Sequence, residues 1–164
     1  MTCTIISNRE ELNIKCKNEE EQPYEAIKAK VHDTLKNMIL DGCCEFYVNS
    51  EKGIPLLAAE DLCSLKRNNP DVRINIVVPY ENQSIDWSEE LRDRYFSVHE
   101  KADSVKIAET HYSEDSYDIA DEMMLDDSDL LLVFGSRSDK LYAVEYAKKN
   151  NVRVGFVDLP AFAE

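Results

Sequence analysis

Asn49-Ser50-Glu51-Lys52-Gly53 stands between an apolar run, Phe46-Tyr47-Val48, and a helix-forming run that opens Ile54-Pro55-Leu56-Leu57. A strand, a tight corner and a helix N-terminus in succession form a ready anion site, because unpaired N–H groups and the helix dipole converge there. Lys52 supplies a cation at the corner, and Gly53 the backbone freedom that a tight turn needs. Glu51 opposes an anion. At an effective dielectric near 20, two like charges about 4 Å apart repel by on the order of 4 kcal/mol. The corner has the layout of a phosphate cradle and a composition that disfavours phosphate in the usual pose.

Four other segments carry groups that could bind or react: Ser7-Asn8-Arg9, Pro79 to Trp87, His111-Tyr112, and Gly135 to Lys140. Tyr80, Trp87 and Tyr112 could stack on a base beside the amide of Gln83, and the same aromatics could equally pack their loops against the domain. Ser138 and Lys140 offer a hydroxyl and a cation. Arg94 and Tyr95 suit an ion pair and core packing. Asp126, Ser128 and Asp129 suit caps and turns, and Glu114, Asp115 and Asp118 a charged first helical turn.

No nucleophile–base pair emerges. Gly135-Ser136-Arg137-Ser138 lacks the spacing of a nucleophile elbow. His32, His99 and His111 are far apart, so no metal site is expected. Cys3, Cys16, Cys43, Cys44 and Cys63 include no C-x-x-C pair and are odd in number, which suits reduced, mostly buried thiols. Glu51 or Asp139 could serve as acid or base in N-glycosidic cleavage, given a perturbed pKa in a cleft.

The elements that position these residues can be read from the apolar spacing. Strands are expected at 2–7, 44–49, 72–80, 104–109, 130–134 and 152–158. A helix with apolar positions at Ala26, Ile27, Val31, Leu35, Met38 and Ile39 should end at Asp41-Gly42. Further helices are expected at about 54–68, 88–102, 115–126 and 139–150, with a polar loop from Asn8 to Gln22. This alternation implies βαβ crossovers: a three-layer α/β domain with a mostly parallel sheet of five to six strands and helices on both faces. In such sheets ligands bind at the carboxyl ends of the strands, beside the topological switch point. The candidate residues above all follow strands.

Composition narrows the function further. The 164 residues suit one compact domain, and 43% of them are hydrophobic. With 33 acidic against 19 basic residues, the net charge of −14 disfavours nucleic acid as a partner. No apolar stretch approaches the roughly 20 residues that span a bilayer, and the N-terminal residues lack signal-peptide character. No membrane association is expected, and the cytoplasm is the default location.

Several segments resemble one family when taken in order. LLAAE (56–60), PYENQSIDW (79–87), RYFSVHEKADSV (94–105), Tyr112, MMLDDSDLLLVF (123–134) and VEYAKK (144–149) are similar to the YpsA-like branch of the SLOG superfamily. These are Rossmann-like domains related to the lonely-guy phosphoribohydrolases and to DprA proteins. The resemblance implies a nucleotide-derived ligand held by glycine-rich loops. It also implies where this chain departs. Thr-Gly-His-Arg of the first loop falls on Ser7-Asn8-Arg9-Glu10, and the glycines of the second fall on Asn49, Ser50 and Gly53. The Gly-Gly-Thr of the third falls on Ser138-Asp139-Lys140, and an Arg-Asn pair becomes Ala120-Asp121.

The packing positions are therefore kept while most ligand-contacting positions differ. The expected function is a non-catalytic binder or sensor of a nucleotide-derived small molecule, or an interaction module. A hydrolase acting on a nucleotide or ADP-ribose-like ligand through remodelled loops is the alternative. The candidate ligand residues are Ser7, Asn8, Arg9, Asn49, Ser50, Lys52, Gly53, Tyr80, Gln83, Trp87, Tyr112, Ser138 and Lys140. No cofactor is expected, and a homodimer is left open.

Overall fold

The computed structural model describes residues 1–8 and 22–160. In order these form β1 (Thr2–Ser7), α1 (Gln22–Leu40), β2 (Glu45–Val48), α2 (Ile54–Lys66), β3 (Arg73–Tyr80), α3 (Glu89–Lys101), β4 (Ser104–Glu109), α4 (Ser116–Leu125), β5 (Leu130–Phe134), α5 (Tyr142–Lys149) and β6 (Arg153–Val157). Every ladder is parallel, and the sheet runs β4-β3-β2-β1-β5-β6. The expected loop from Asn8 to Gln22 lies almost wholly outside the described residues, as do Arg9 and Cys16.

The two layers of helices follow from alternation along the strands. Cys3, Ile5, Phe46, Ile74, Leu132 and Phe134 face one side, where they meet Ile27, Val31 and Leu35 of α1 and Leu57, Ala58 and Leu62 of α2. Val48, Ile76 and Val78 extend that face to Val98 of α3. The opposite side carries Ile6, Leu131 and Val133 against Ala143, Val144 and Ala147 of α5, and Tyr47 and Val77 against Ala120 and Met124 of α4. This is the three-layer Rossmann-like arrangement that the period-2 and period-3.6 patterns imply.

Element ends obey local chemistry. Gly42, at φ 101, closes α1: its N–H meets Ile39 O at 3.1 Å while Cys43 N–H meets Met38 O at 2.9 Å, a Schellman pair. Ser88 caps α3 by accepting the Leu91 N–H at 3.3 Å. Two helices are shorter than their apolar pattern suggests. Asn69 Nδ2 donates to Leu65 O at 2.9 Å and stops α2 at Lys66. Ser138 accepts the Lys140 N–H at 3.4 Å, and the turn it makes delays α5 to Tyr142.

Cys3 and Cys43 are buried, and burial raises both thiol pKa values, that of Cys43 to about 11. Among the described residues no helix is long and apolar enough to cross a membrane.

Candidate functional site

The corner after β2 is occupied by its own side chains. Asn49 and Ser50 are 1% and 0% exposed. Asn49 Oδ1 accepts the Glu51 N–H at 3.0 Å, which takes a donor that an anion would need. Ser50 adopts φ 53, a left-handed conformation uncommon for a residue with a Cβ, and its hydroxyl shares a 2.9 Å hydrogen bond with His99 Nε2. Burial lowers His99 from 6.5 to about 4, so its imidazole is neutral at neutral pH. Tyr95 lies against that ring at 4.0 Å between centroids, and Trp87 meets Tyr95 edge-on at 5.2 Å. Gly53, at φ 101, precedes α2 without a capping side chain, and Pro55 has no N–H to offer. Lys52 is exposed.

The topological switch point lies between β1 and β5, whose following helices cover opposite faces. A cavity of about 210 Å³ opens there, lined by Ser7, Asn8, Asp118, Asp121, Leu141 and Tyr142 among others. Asn8 is tied to β5 by its N–H, which meets Phe134 O at 3.0 Å. Its side-chain Oδ1 is buried and has no hydrogen-bond partner among the described residues. Two carboxylates, those of Asp118 and Asp121, stand in the wall. Ser138 and Lys140 lie outside this lining. Asp139 beside them is exposed and paired with Lys148 at 2.8 Å, and the hydrogen bond from Lys148 lowers its carboxyl pKa.

A second cavity, of about 390 Å³, opens between the ends of β3 and β4. Tyr80, Gln83 and Tyr112 meet there, joined by Asn82, Ile85 and His111. Tyr80 sits edge-on to Tyr112 at 5.1 Å and to Tyr117 at 6.2 Å. Gln83 is 4% exposed; its Nε2 reaches Tyr117 OH at 3.4 Å, while its Oε1 is buried with no partner among the described residues. Trp87 lies outside this cavity and packs beside Val48 and Leu56.

The thirteen sequence candidates thus separate by place. Ser7 and Asn8 share the switch-point cavity; Tyr80, Gln83 and Tyr112 share the β3–β4 cavity; Asn49, Ser50 and Gly53 form the closed corner. Lys52, Trp87, Ser138 and Lys140 line neither of these two cavities, and Arg9 lies outside the described residues. Sequence reasoning missed His99 as the partner of Ser50 and Asp121 as part of a cavity wall. Asp121 had a signal, since it falls where the family pattern places an Asn.

Two of the recognised segments also turn out to hold each other. Glu60 of LLAAE and Arg94 of RYFSVHEKADSV form a forked ion pair across α2 and α3, with Arg94 Nη2 at 2.7 Å and Nε at 3.2 and 3.1 Å. The ordered motif series is in this respect a record of packing.

Comparison with known proteins agrees with this geometry. Residues 8–157 match the YspA SLOG (YpsA) family. A UPF0398 protein of Staphylococcus epidermidis is 27% identical over 150 residues, covering 86% of this chain and 79% of its own length. A UPF0398 protein of Halalkalibacterium halodurans is 30% identical over 131 residues, covering 75% and 68%, and one of Bacillus cereus 28% over 130, covering 76% and 71%. With its parallel sheet, its switch-point cavity and a match that spans nearly all of its residues, the chain belongs to the YspA SLOG family.

Proposed function

We propose that the chain is a non-catalytic module that binds a small nucleotide-derived molecule at the carboxyl edge of its sheet, outside the phosphate cradle. Two buried amide oxygens carry this reading. Asn8 Oδ1 and Gln83 Oε1 each belong to a residue lining a strand-end cavity, and each lacks a partner among the described residues. An unmet buried acceptor costs about 1–3 kcal/mol, which a ligand donor would recover.

Other features favour binding over turnover. The Ser50 hydroxyl, bonded to His99, is 0% exposed and lines neither strand-end cavity. Asp139 has its pKa lowered and faces solvent, the opposite of what a general acid needs. The closed corner after β2 supports a ligand whose phosphate, if it has one, points elsewhere.

A thermal-shift screen with nucleosides, AMP, ADP-ribose, NAD and cyclic dinucleotides tests this, because a ligand specific for the folded state raises Tm. At least one compound should raise Tm and be recovered unchanged after incubation. Absence of any shift at millimolar concentration overturns the proposal. Conversion of the compound, followed by chromatography, replaces it with the hydrolase reading.

A further inference from the structure

The cavity between β3 and β4 has a more specific chemistry than the family's loops suggest. Resting on the binding reading above, we propose that it takes an unphosphorylated planar heterocycle bearing an exocyclic amino group, of the nucleobase or nucleoside kind. The ring lies on Tyr112, and the amino group donates to Gln83 Oε1.

Gln83 is the anchor. It is 4% exposed, its Nε2 is directed to Tyr117 OH at 3.4 Å, and its Oε1 is left as a buried acceptor. An amino group on the ligand satisfies that oxygen. A keto group in its place sets acceptor against acceptor and leaves both unpaired.

The rim supplies the stacking surface. Tyr112 is 63% exposed and Ile85 58%, although both line the cavity. A flat ring laid between them removes apolar surface from water and meets the face of an aromatic, a sequence-tolerant way to hold a base. The volume of about 390 Å³ falls within the range of small-molecule sites.

Charge sets the ligand class. Asp86 lines the cavity, and among the described residues neither lysine nor arginine does. Glu81 and Glu109 adjoin it, linked by the Glu81 N–H to Glu109 O bond of 3.2 Å. A phosphate placed here meets the Asp86 carboxylate, with His111 as the one basic side chain in the described lining.

The walls are already in place. The Gln83, Ile85 and Trp87 N–H groups bond Tyr80 O, Asn82 O and Ser84 O at 3.1 Å each, a chain of turns along residues 80–87. On the other side Glu109 Oε1 accepts from Ser113 Oγ at 2.8 Å and Ser116 Oγ at 2.9 Å. A loop fixed in this way loses little freedom on binding.

Calorimetry and thermal shift on the full chain with adenosine, cytidine, inosine, uridine and AMP test the assignment. An amino-bearing nucleoside should bind about tenfold or more tightly than its keto counterpart, and AMP no more tightly than adenosine. Gln83→Leu and Tyr112→Ala should each weaken that binding by about tenfold or more. Tyr112→Ala, which removes a ring 63% exposed and one edge contact with Tyr80, should do so with only a small fall in the Tm of the free protein, and serves if Gln83→Leu fails to fold. A keto preference, or AMP binding markedly tighter than adenosine, overturns the proposal. Nucleoside binding that survives both substitutions and is lost in Asn8→Ala also overturns it, while leaving the broader binding reading intact. Absence of binding by any of the five at millimolar concentration, with a positive ADP-ribose or NAD shift, likewise defeats this proposal alone; absence of all shifts defeats both.

Discussion

The Ser50 hydroxyl and His99 Nε2 lie 2.9 Å apart, joining the corner after β2 to α3 across 49 residues of sequence. This bond holds a residue with a Cβ at φ 53. Ser50→Ala keeps the left-handed cost and leaves the imidazole without its partner, so a loss of about 1–3 kcal/mol is expected in urea unfolding. Ser50→Gly loses the same bond and relieves the backbone, and should cost less. A glycine variant less stable than the alanine variant would show that the left-handed backbone is not the constraint.

His99 should also give the chain a pH dependence. Burial holds it at about 4 against an ordinary 6.5. The unfolded chain therefore takes up this proton first on acidification, and stability from this group falls as pH drops through that window. His99→Gln removes the titration while retaining a hydrogen-bonding side chain. The decline in unfolding free energy from neutral pH to about 5 should be steeper in the parent than in the variant. Equal slopes would remove His99 as the cause.

Gly53 separates backbone strain from crowding. A Cβ built on it meets nothing within 4 Å, yet its φ is 101. Gly53→Ala should therefore destabilise by about 1–2 kcal/mol through the backbone alone. Chemical denaturation measures this, and a neutral substitution would mean that the corner relaxes freely.

Asp103 fastens the end of α3 to the start of β3. Its Oδ2 accepts the Ile74 N–H at 2.8 Å, and its carboxylate oxygens accept from Lys66 Nζ at 2.6 and 2.5 Å. Burial pushes its pKa up, but the Lys66 and Ile74 hydrogen bonds and the charges of Lys66 and Arg73 outweigh this and lower it. Its contribution is thus present above the ordinary carboxylate pKa and lost as pH falls through the lowered one. Asp103→Ala should cost about 1–3 kcal/mol by stranding the Ile74 N–H, and Lys66→Ala about 1 kcal/mol or less, since its ion pair, with side chains 28% and 25% exposed, is still reached by solvent. Equal losses in urea unfolding would assign the effect to the ion pair.

The fold was legible because each strand and helix carries its own period. Leu130 to Phe134 is apolar throughout and lies buried between both helical layers, while Ser104 to Glu109 mixes polar with apolar residues and forms an edge on which Val105 and Ile107 stay exposed. Local turn chemistry moved only the ends, as at Ser138. The candidate site was legible in part. Strand-end position marked Asn8, Gln83 and Tyr112 without showing that they serve two separate cavities. The Asn-Ser corner could be placed in sequence, but its closure could not, since that depends on a histidine 49 residues away. Trp87 lies only seven residues beyond Tyr80, the last residue of β3, and only the third dimension sends Trp87 to Tyr95 and Tyr80 to Tyr112.

The central place of β1 has a consequence for how the chain is made. Cys3 pairs with Phe46 on one side and with Leu130 on the other, so one ladder can close once residue 48 has been made and the other only after residue 134. Until residues 130–134 leave the ribosome, the nascent half-sheet of β1 to β4 presents the open margin of β1. Ile6 then lacks its cover from Leu131 and Val133. An uncovered apolar strand margin is a template for wrong pairing. The strand that ends at Ser7 thus gains its second neighbour only after β2, β3 and β4 have been made, and until β5 arrives its open margin is exposed to wrong pairing.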